Sequence, residues 1–239
     1  MNLSFTSSPP RRSTLYNPVF PLYERLLERE IAQSPTPVHH LLLVLDETDL
    51  LAPEGVERLR LFVRWAHQLK ITQLSVYVSV IHEGMEHGLV ERACLQLAQD
   101  LRRTLSNEDA SVLLYDGTTP TMEPAYAPAE TATQHITISL GFSGRSELTQ
   151  VVKALAREVE AGELEPDEID ENLIESELLF RSEPDLVIRS GATRLMDFLI
   201  WQSVYTEFYF TDMNWSNFRK IDLLRALRDF QLRERRFGR

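Results

Sequence analysis

A short run of consecutive apolar residues limits the folds open to this chain more than any other feature. Residues 40–45 read His-Leu-Leu-Leu-Val-Leu, and the run ends at Asp46. A short segment with almost no polar position is typical of a strand in a parallel sheet that is covered on both faces. Comparable strands are predicted at 73–80, 110–115, 134–140, 185–189 and 204–210.

Segments with helical periodicity separate most of these strands. They are predicted at 54–69, 88–104, 144–160, within 162–180 and from 219 onward, after an amphipathic N-terminal helix that carries Leu22, Leu26, Leu27 and Ile31. This alternation favours an α/β fold with a mostly parallel central sheet covered by helices, and 239 residues suit a single domain. The domain is predicted to span 17–239, because residues 1–16 carry no periodic apolar pattern and are predicted to be a disordered lead-in.

The composition excludes several classes of function. The net charge of −11 argues against nonspecific nucleic-acid binding, which depends on basic surface, so no nucleic-acid partner is expected. No apolar run approaches the roughly 18 residues of a membrane span, and the start lacks a signal pattern, so a cytoplasmic protein without a transmembrane segment is predicted. The single cysteine, Cys94, is expected to be a buried thiol, which leaves no disulfide and no thiolate metal site.

Ligands of parallel sheets bind beyond the carboxyl ends of the strands. In this chain the rule selects Asp46, residues 79–83 and Arg189. Arg189 and Arg194 lie on either side of a Ser-Gly turn, and two guanidinium forks suit bidentate binding of diphosphate oxygens. The pattern therefore predicts an anionic ligand, with the alternative that both arginines pair with carboxylates of this acidic protein.

Three carboxylates and a histidine are further candidates. Glu207 lies inside the otherwise apolar segment 204–210, where a carboxylate is costly to bury unless a cation or donor neutralises it. Asp46 ends the first strand, and its alternative role is to start a loop or cap a helix. His82 and Glu83 follow the second strand as either an acid/base pair or solvated loop residues.

The C-terminal third carries the most specific pattern in the chain. Residues 184–194 read Pro-Asp-Leu-Val-Ile-Arg-Ser-Gly-Ala-Thr-Arg, 198–202 read Phe-Leu-Ile-Trp-Gln, and 205–210 read Tyr-Thr-Glu-Phe-Tyr-Phe. This block closely resembles the signature of the cis-prenyltransferases, the undecaprenyl and polyprenyl diphosphate synthases. The segment 141–147, the tail 233–238 and an archaeal-like entry segment at 17–46 extend the resemblance over residues 17–238.

The resemblance implies a reaction and a set of site residues. The reaction is the Mg²⁺-dependent cis-condensation of isopentenyl diphosphate onto an allylic diphosphate, in which the allylic diphosphate leaves, the double bond attacks and a proton is lost. By the same resemblance Asp46 is catalytic, Asp46 and Glu207 bind the metal, and Arg189 and Arg194 bind the isopentenyl diphosphate.

A growing lipid would occupy an apolar tunnel between helices and sheet, and this product would allow peripheral contact with a membrane. The expected wall residues, which are equally typical of an ordinary core, are Leu59, Phe62, Val63, Leu95, Leu97 and Leu101.

The chain departs from the family pattern after its first two strands. The family carries a glycine-containing Asp-Gly-Asn loop that cradles the allylic diphosphate, whereas residues 46–53 read Asp-Glu-Thr-Asp-Leu-Leu-Ala-Pro. Glycines that let backbone amides approach a phosphate are absent, and Glu47 and Asp49 would repel it. Residues 79–84 also lack the family's Asn-Trp pair, and the turn between the two arginines is one residue short. The site for the allylic substrate is therefore expected to be damaged.

This pattern resembles the noncatalytic subunits of two-component cis-prenyltransferases. In such dimers a C-terminal Arg-x-Gly completes the partner's active site, and Arg236-Phe-Gly238 fits that motif, or else is a charged helix end with a glycine cap. The chain is accordingly expected to form a homodimer, or a heterodimer with a homologue that carries the complete loop. Its C-terminal third is the predicted interface, with contacts from Phe208, Phe210, Trp215 and Phe218, and burial of these residues within the monomer is the equally weighted alternative. An autonomous synthase with a rebuilt site and an unrelated phosphate-binding α/β protein are the alternatives.

Overall fold

A computed structural model of the chain confirms an α/β domain built on one parallel sheet. It describes residues 19–80, 87–116, 132–141, 144–178, 183–190, 201, 206–211 and 214–233. All strand pairs in the sheet are parallel, in the order β3-β4-β2-β1-β5-β6. The strands are β1 (His40–Asp46), β2 (Gln73–Ser79), β3 (Ser111–Asp116), β4 (His135–Leu140), β5 (Leu186–Ser190) and β6 (Glu207–Thr211).

The apolar run that opened the sequence argument lies at the centre of the sheet. β1 pairs with β2 on one side and with β5 on the other. Every residue from His40 to Leu45 is buried: Leu41, Leu43 and Leu45 lie in the main core with residues of the helices, and Leu42 and Val44 lie in a second apolar cluster on the other face. This position explains why β1 needs apolar side chains at successive positions rather than at alternate ones.

The helices follow the predicted positions, with one addition. They are α1 (Val19–Gln33), α2 (Glu47–Leu51), α3 (Gly55–Gln68), α4 (His87–Leu105), α5 (Gly144–Ala161), α6 (Glu171–Glu177) and α7 (Lys220–Leu232). The addition is α2, for which no helix was predicted. Among the described residues no helix is long and apolar enough to cross a membrane.

The N-terminal helix buries only part of its predicted apolar face. Leu27 and Ile31 belong to the main core, whereas Leu22 is 61% exposed and Leu26 is 48% exposed. α1 packs against α7, so Leu27 and Ile31 are covered, whereas Leu22 and Leu26 remain at the surface.

The aromatic residues predicted for a dimer interface divide into two groups. Trp215 and Phe218 are fully buried and pack on Phe62 of α3, with ring centroids 5.9 and 5.8 Å from that ring. The interface prediction is wrong for these two, because the turn that precedes α7 directs them into the monomer's core. Phe208 and Phe210 lie on β6 at the edge of the sheet, where their rings stack at 6.1 Å and Phe210 is 42% exposed.

The predicted tunnel walls are ordinary core in this structure. Five of the six residues are buried in the main apolar cluster, at Leu59, Phe62, Val63, Leu97 and Leu101. Leu95 faces outward and is 44% exposed, so its assignment as a wall is wrong. Cys94 is buried, as predicted.

Candidate active site at the carboxyl edge of the sheet

The structure brings together Asp46 and Arg189, two of the predicted site residues. They come from neighbouring strands, since Val44 of β1 pairs with Arg189 of β5. One Nη2 atom of Arg189 lies 3.5 Å from the Oδ1 atom of Asp46. The arginine side chain is only 4% exposed, whereas the aspartate is 32% exposed. The pair therefore combines a deeply placed guanidinium with a carboxylate that solvent or a ligand can reach.

Part of the Arg189 guanidinium remains without a partner. Its Nε–H is buried and makes no hydrogen bond with the residues that the structure describes. A buried donor left unsatisfied costs about 1–3 kcal/mol, so such donors are rare outside functional sites. The second of the two alternatives for Arg189 is thus realised only in part: it pairs with a carboxylate, and it keeps a donor that an anionic ligand would satisfy.

The segment after β1 forms a short acidic helix instead of a glycine-rich loop. Asp46 takes the N-cap position of α2 with extended backbone angles, and its side chain makes no capping hydrogen bond there. The backbone N–H of Asp46 donates to the carboxylate of Asp49 at 3.1 Å. A carboxylate of the chain itself therefore occupies a backbone donor at the point where the family's loop would offer amides to a phosphate.

Asp49 shows how crowded with negative charge this edge is. Burial raises the pKa of its carboxyl group most, and the neighbouring charges of Asp46 and Glu47 raise it further. The hydrogen bond from the Asp46 backbone and the positive charge of Arg189 act in the opposite direction. The described guanidinium of Arg189 thus shares this edge with three carboxylates, which disfavours a bare diphosphate unless additional positive charge is supplied.

Gly55 fixes the position of this acidic helix, and the sequence argument missed it. A Cβ atom at residue 55 would overlap the backbone carbonyl oxygen of Asp49. The carbonyl oxygen of Gly55 accepts a hydrogen bond from the indole of Trp215 at 3.0 Å. The only sequence signal was a lone glycine at the predicted start of α3, which is too common to single out.

Glu207 lies at the amino end of its strand, whereas Asp46 and Arg189 lie at or near the carboxyl ends of theirs. It is the first residue of β6 and pairs with Leu186, which itself pairs with Leu41 near the start of β1. One Nη1 atom of Arg233 lies 3.1 Å from the Glu207 carboxylate. The cation required to neutralise Glu207 is therefore Arg233, the residue that follows α7, and one chain does not bring Glu207 to Asp46.

The remaining predicted site residues lie outside the described residues. These are Arg194, Arg236 and Gly238, together with His82 and Glu83. Within the described ranges, no group of three or more histidine, cysteine, aspartate or glutamate side chains is arranged to hold a metal ion. An exposed carboxylate such as Asp46 nevertheless fits Mg²⁺, which proteins often hold through one or two carboxylates and the phosphates of a substrate.

Comparison with known proteins identifies relatives along nearly the whole chain. A family model described as putative undecaprenyl diphosphate synthase matches residues 52–238. An isoprenyl transferase of Thermus thermophilus is 36% identical over 96% of this chain and 99% of its own length. A tritrans,polycis-undecaprenyl-diphosphate synthase (geranylgeranyl-diphosphate specific) of Methanopyrus kandleri is 33% identical over 93% of this chain and 92% of its own length.

Solved structures give the same result for the fold. Lavandulyl diphosphate synthase from Lavandula x intermedia, in complex with dimethylallyl diphosphate, superposes with a TM-score of 0.68 at 26% identity, over 84% of this chain and 98% of that one. A probable undecaprenyl diphosphate synthase from Campylobacter jejuni has a TM-score of 0.64 at 20% identity, over 85% of this chain and 100% of that one, and shows the fold alone.

Proposed function

The chain belongs to the undecaprenyl diphosphate synthase family of prenyltransferases, and from this premise we propose that it binds isopentenyl diphosphate and acts in its cis-condensation onto an allylic diphosphate. The observation that carries the proposal is Arg189, a buried guanidinium at the carboxyl end of β5 with a donor left unsatisfied among the described residues. Burial strengthens its attraction for an anion, because few water molecules compete for its N–H groups.

The chain's own residues would act mainly by positioning. Arg189 holds the diphosphate of isopentenyl diphosphate at the sheet edge, with Arg194 as its proposed second fork. Asp46, two residues beyond the Arg189 pairing position, lies between this diphosphate and the solvent-exposed side where the allylic substrate would enter. Holding the two substrates next to each other on one protein makes the condensation effectively intramolecular.

Asp46 is also the proposed Mg²⁺ ligand. When bound, the ion neutralises the charge that develops on the leaving diphosphate. Its presence would also offset the negative charge of Asp46, Glu47 and Asp49, which the crowded site requires. A role for Glu207 in the same metal site would require a second chain, because its position in one chain is at the other edge of the sheet.

Calorimetry with isopentenyl diphosphate tests the binding claim. Arg189→Ala should weaken binding by roughly 10- to 150-fold, the equivalent of about 1.5–3 kcal/mol for charge-assisted hydrogen bonds. Arg64→Ala is the matched control, since Arg64 lies on α3 and its side chain is 46% exposed. Arg189→Lys keeps the charge without the fork and should bind with intermediate affinity. Absence of binding by the wild type, or equal binding by the wild type and Arg189→Ala, would eliminate this site.

A second candidate function is an activating subunit for a homologue with the complete loop. The specific observation is the acidic helix α2. Its Asp49 interacts electrostatically with Arg189, and the Asp49 carboxylate accepts a hydrogen bond from the backbone N–H of Asp46. The match to the family model begins at residue 52, directly after this helix. In this candidate Arg236 and Gly238 reach across a dimer and contribute to the homologue's diphosphate site.

The edge strand β6 is the proposed dimer interface. Phe210 is 42% exposed there and stacks on Phe208, so an apolar patch lies next to an open strand edge. Coexpression with a homologue, followed by size-exclusion chromatography, tests assembly. Phe210→Asp should shift the chain toward the monomer while leaving its thermal transition in place. An unchanged elution volume for this variant would remove β6 from the interface.

A further inference from the structure

A large cleft opens at the amino edge of the sheet, away from the Asp46–Arg189 pair. Its volume is about 630 Å³, within the range of small-molecule sites. The walls come from α1, from the end of α3, from α7 and from the segments that precede β1 and β2. β1 has seven residues, and at about 3.3 Å per residue its two ends are roughly 20 Å apart. The cleft is therefore separate from the proposed active site.

The cleft combines an apolar floor with a basic rim. The floor consists of buried core residues, namely Ile31, Val38, Ile71 and Leu227. Four cationic side chains line the rim, at Arg25, Arg29, Lys70 and Lys220, against the single carboxylate of Glu28. The whole chain has only three lysines and a net charge of −11, so two of its lysines in one cleft are a strong local concentration of positive charge.

Helix ends do not balance this charge. The C-termini of α1 and α3 lie at the cleft, and each brings about half a negative charge. Together with Glu28 they supply roughly two negative charges against four cations, and α7 adds little because residues from both of its ends, Lys220 and Gln231, line the cleft. A surplus of roughly two positive charges remains, which an anionic ligand would neutralise.

The individual cations are arranged in different ways. Lys220 is held in place, with its Nζ 2.7 Å from Glu28 and 2.9 Å from the side-chain oxygen of Gln68. Arg25, Arg29 and Lys70 form no ion pair with the described residues. Arg25 and Arg29 are one turn apart on α1, a spacing at which like charges repel.

Lys70 also has a backbone conformation that disfavours a lysine. Its φ is 61°, in the left-handed region, directly after α3. Glycine is the usual residue at this position of a helix C-terminus, because a Cβ atom is strained there. A lysine is thus retained at a strained position where its side chain lines the cleft.

We propose that this cleft binds an amphipathic phosphate, that is, a phosphate group attached to an apolar chain. The rim cations would bind the phosphate oxygens, and the apolar floor would cover the first carbons of the chain. The proposal does not depend on catalysis at Asp46 and Arg189, and it fits both a soluble alkyl or prenyl phosphate and the headgroup region of a phospholipid.

Calorimetry with decyl phosphate, at a concentration below micelle formation, tests the site in the full chain. Lys70→Gly and Arg29→Gln should each weaken binding roughly tenfold, the effect of losing one charge-assisted contact. Lys70→Gly should unfold at the same temperature as the wild type or higher, since glycine relieves the backbone strain. Lys153→Ala, the third lysine and exposed on α5, should bind decyl phosphate as the wild type does.

Several outcomes would overturn the proposal. Inorganic phosphate that binds as tightly as decyl phosphate would show that the floor takes no part. Equal losses in Lys153→Ala and Lys70→Gly would indicate nonspecific attraction, and loss of binding in Arg189→Ala would place the ligand at the other edge. Binding to phosphatidylglycerol vesicles without binding of monomeric decyl phosphate would indicate surface adsorption rather than a site, whereas binding of both would identify a lipid as the natural source.

Discussion

The two edges of the same parallel sheet have opposite local charge. At the carboxyl edge Asp46 lies 3.5 Å from Arg189, and the carboxyl group of Asp49 interacts electrostatically with Asp46, Glu47 and Arg189. At the amino edge four cations line a cleft that contains one carboxylate. The topology of the sheet thus determines where the side chains at the strand ends lie, and the local charge determines which ligands can bind to them. For the proposed condensation, the residues described at the carboxyl edge offer one guanidinium for two diphosphates, so Arg194, a metal ion or a second chain would have to supply further positive charge.

The largest expected effect concerns positive charge that one chain lends to another. In a complex with a homologue that carries the complete glycine-rich loop, deletion of residues 236–239 should lower prenyl-transfer turnover by at least tenfold, because a charge-stabilising donor is lost. Assembly should remain intact by size-exclusion chromatography. A truncated complex with full activity would break the comparison, since the carboxyl edge would then need no cation from the chain's tail.

Neutralising one carboxylate at each end of the strands tests whether the two sites bind their ligands independently. Asp49→Asn should tighten isopentenyl diphosphate binding roughly fivefold, on the order of 1 kcal/mol for a unit charge at about 4 Å in high dielectric. Glu28→Gln should tighten decyl phosphate binding by a similar factor. Each variant should leave the other ligand's affinity unchanged, as measured by calorimetry. Cross-effects of equal size would mean that the two edges do not act as separate sites.

The smallest expected effects are opposite changes of stability with pH. At the amino edge, His40 is buried between Ser75 and the Glu183 carbonyl, and burial lowers the pKa of its imidazole. The unfolded chain therefore takes up this proton at a higher pH than the folded chain, and stability falls as the pH falls below about 6.5. In His40→Asn the free energy of unfolding should change less between pH 7 and pH 5.5. An identical pH slope in variant and wild type would show that His40 makes no contribution.

At the carboxyl edge the sign is reversed. Burial raises the pKa of Asp49, so the folded chain holds this proton to a higher pH than the unfolded chain. The associated stability is complete below about pH 4 and is lost as the pH rises through the folded-state pKa. Denaturant unfolding of Asp49→Asn should lack this loss. A wild-type stability that rises across the same window by as much as that of the variant would contradict the raised pKa.

The fold was largely predictable because its signals are local. The apolar run 40–45 could be buried on both faces only at the centre of a sheet, and the structure places it there. The pairing of Asp46 with Arg189 followed from the rule that the carboxyl ends of parallel strands lie on one side of the sheet. The helix α2 could not be predicted in the same way, because five residues are too few to show a helical period of apolar positions.

The failures came from contacts between distant parts of the chain. Trp215 and Phe218 looked like interface residues, because aromatic density near a chain end is typical both of an interface and of burial within the monomer. Their contact partner Phe62 is more than 150 positions away in the sequence, so local sequence could not reveal it. The basic cleft could not be predicted either, since its cations are separated along the sequence and meet only through the packing of α1, α3 and α7.

The central claim is that the residues described at the carboxyl edge do not supply, within one chain, the positive charge needed to use an allylic diphosphate. The most direct test is a prenyl-transfer assay with labelled isopentenyl diphosphate, Mg²⁺ and farnesyl or geranylgeranyl diphosphate, with the purified chain alone and together with a homologue that carries the complete loop. We expect little or no labelled polyprenyl product from the chain alone and clear turnover from the mixture, above that of the homologue by itself. Robust turnover by the chain alone would contradict the account and would show that the acidic edge is a rebuilt, working active site.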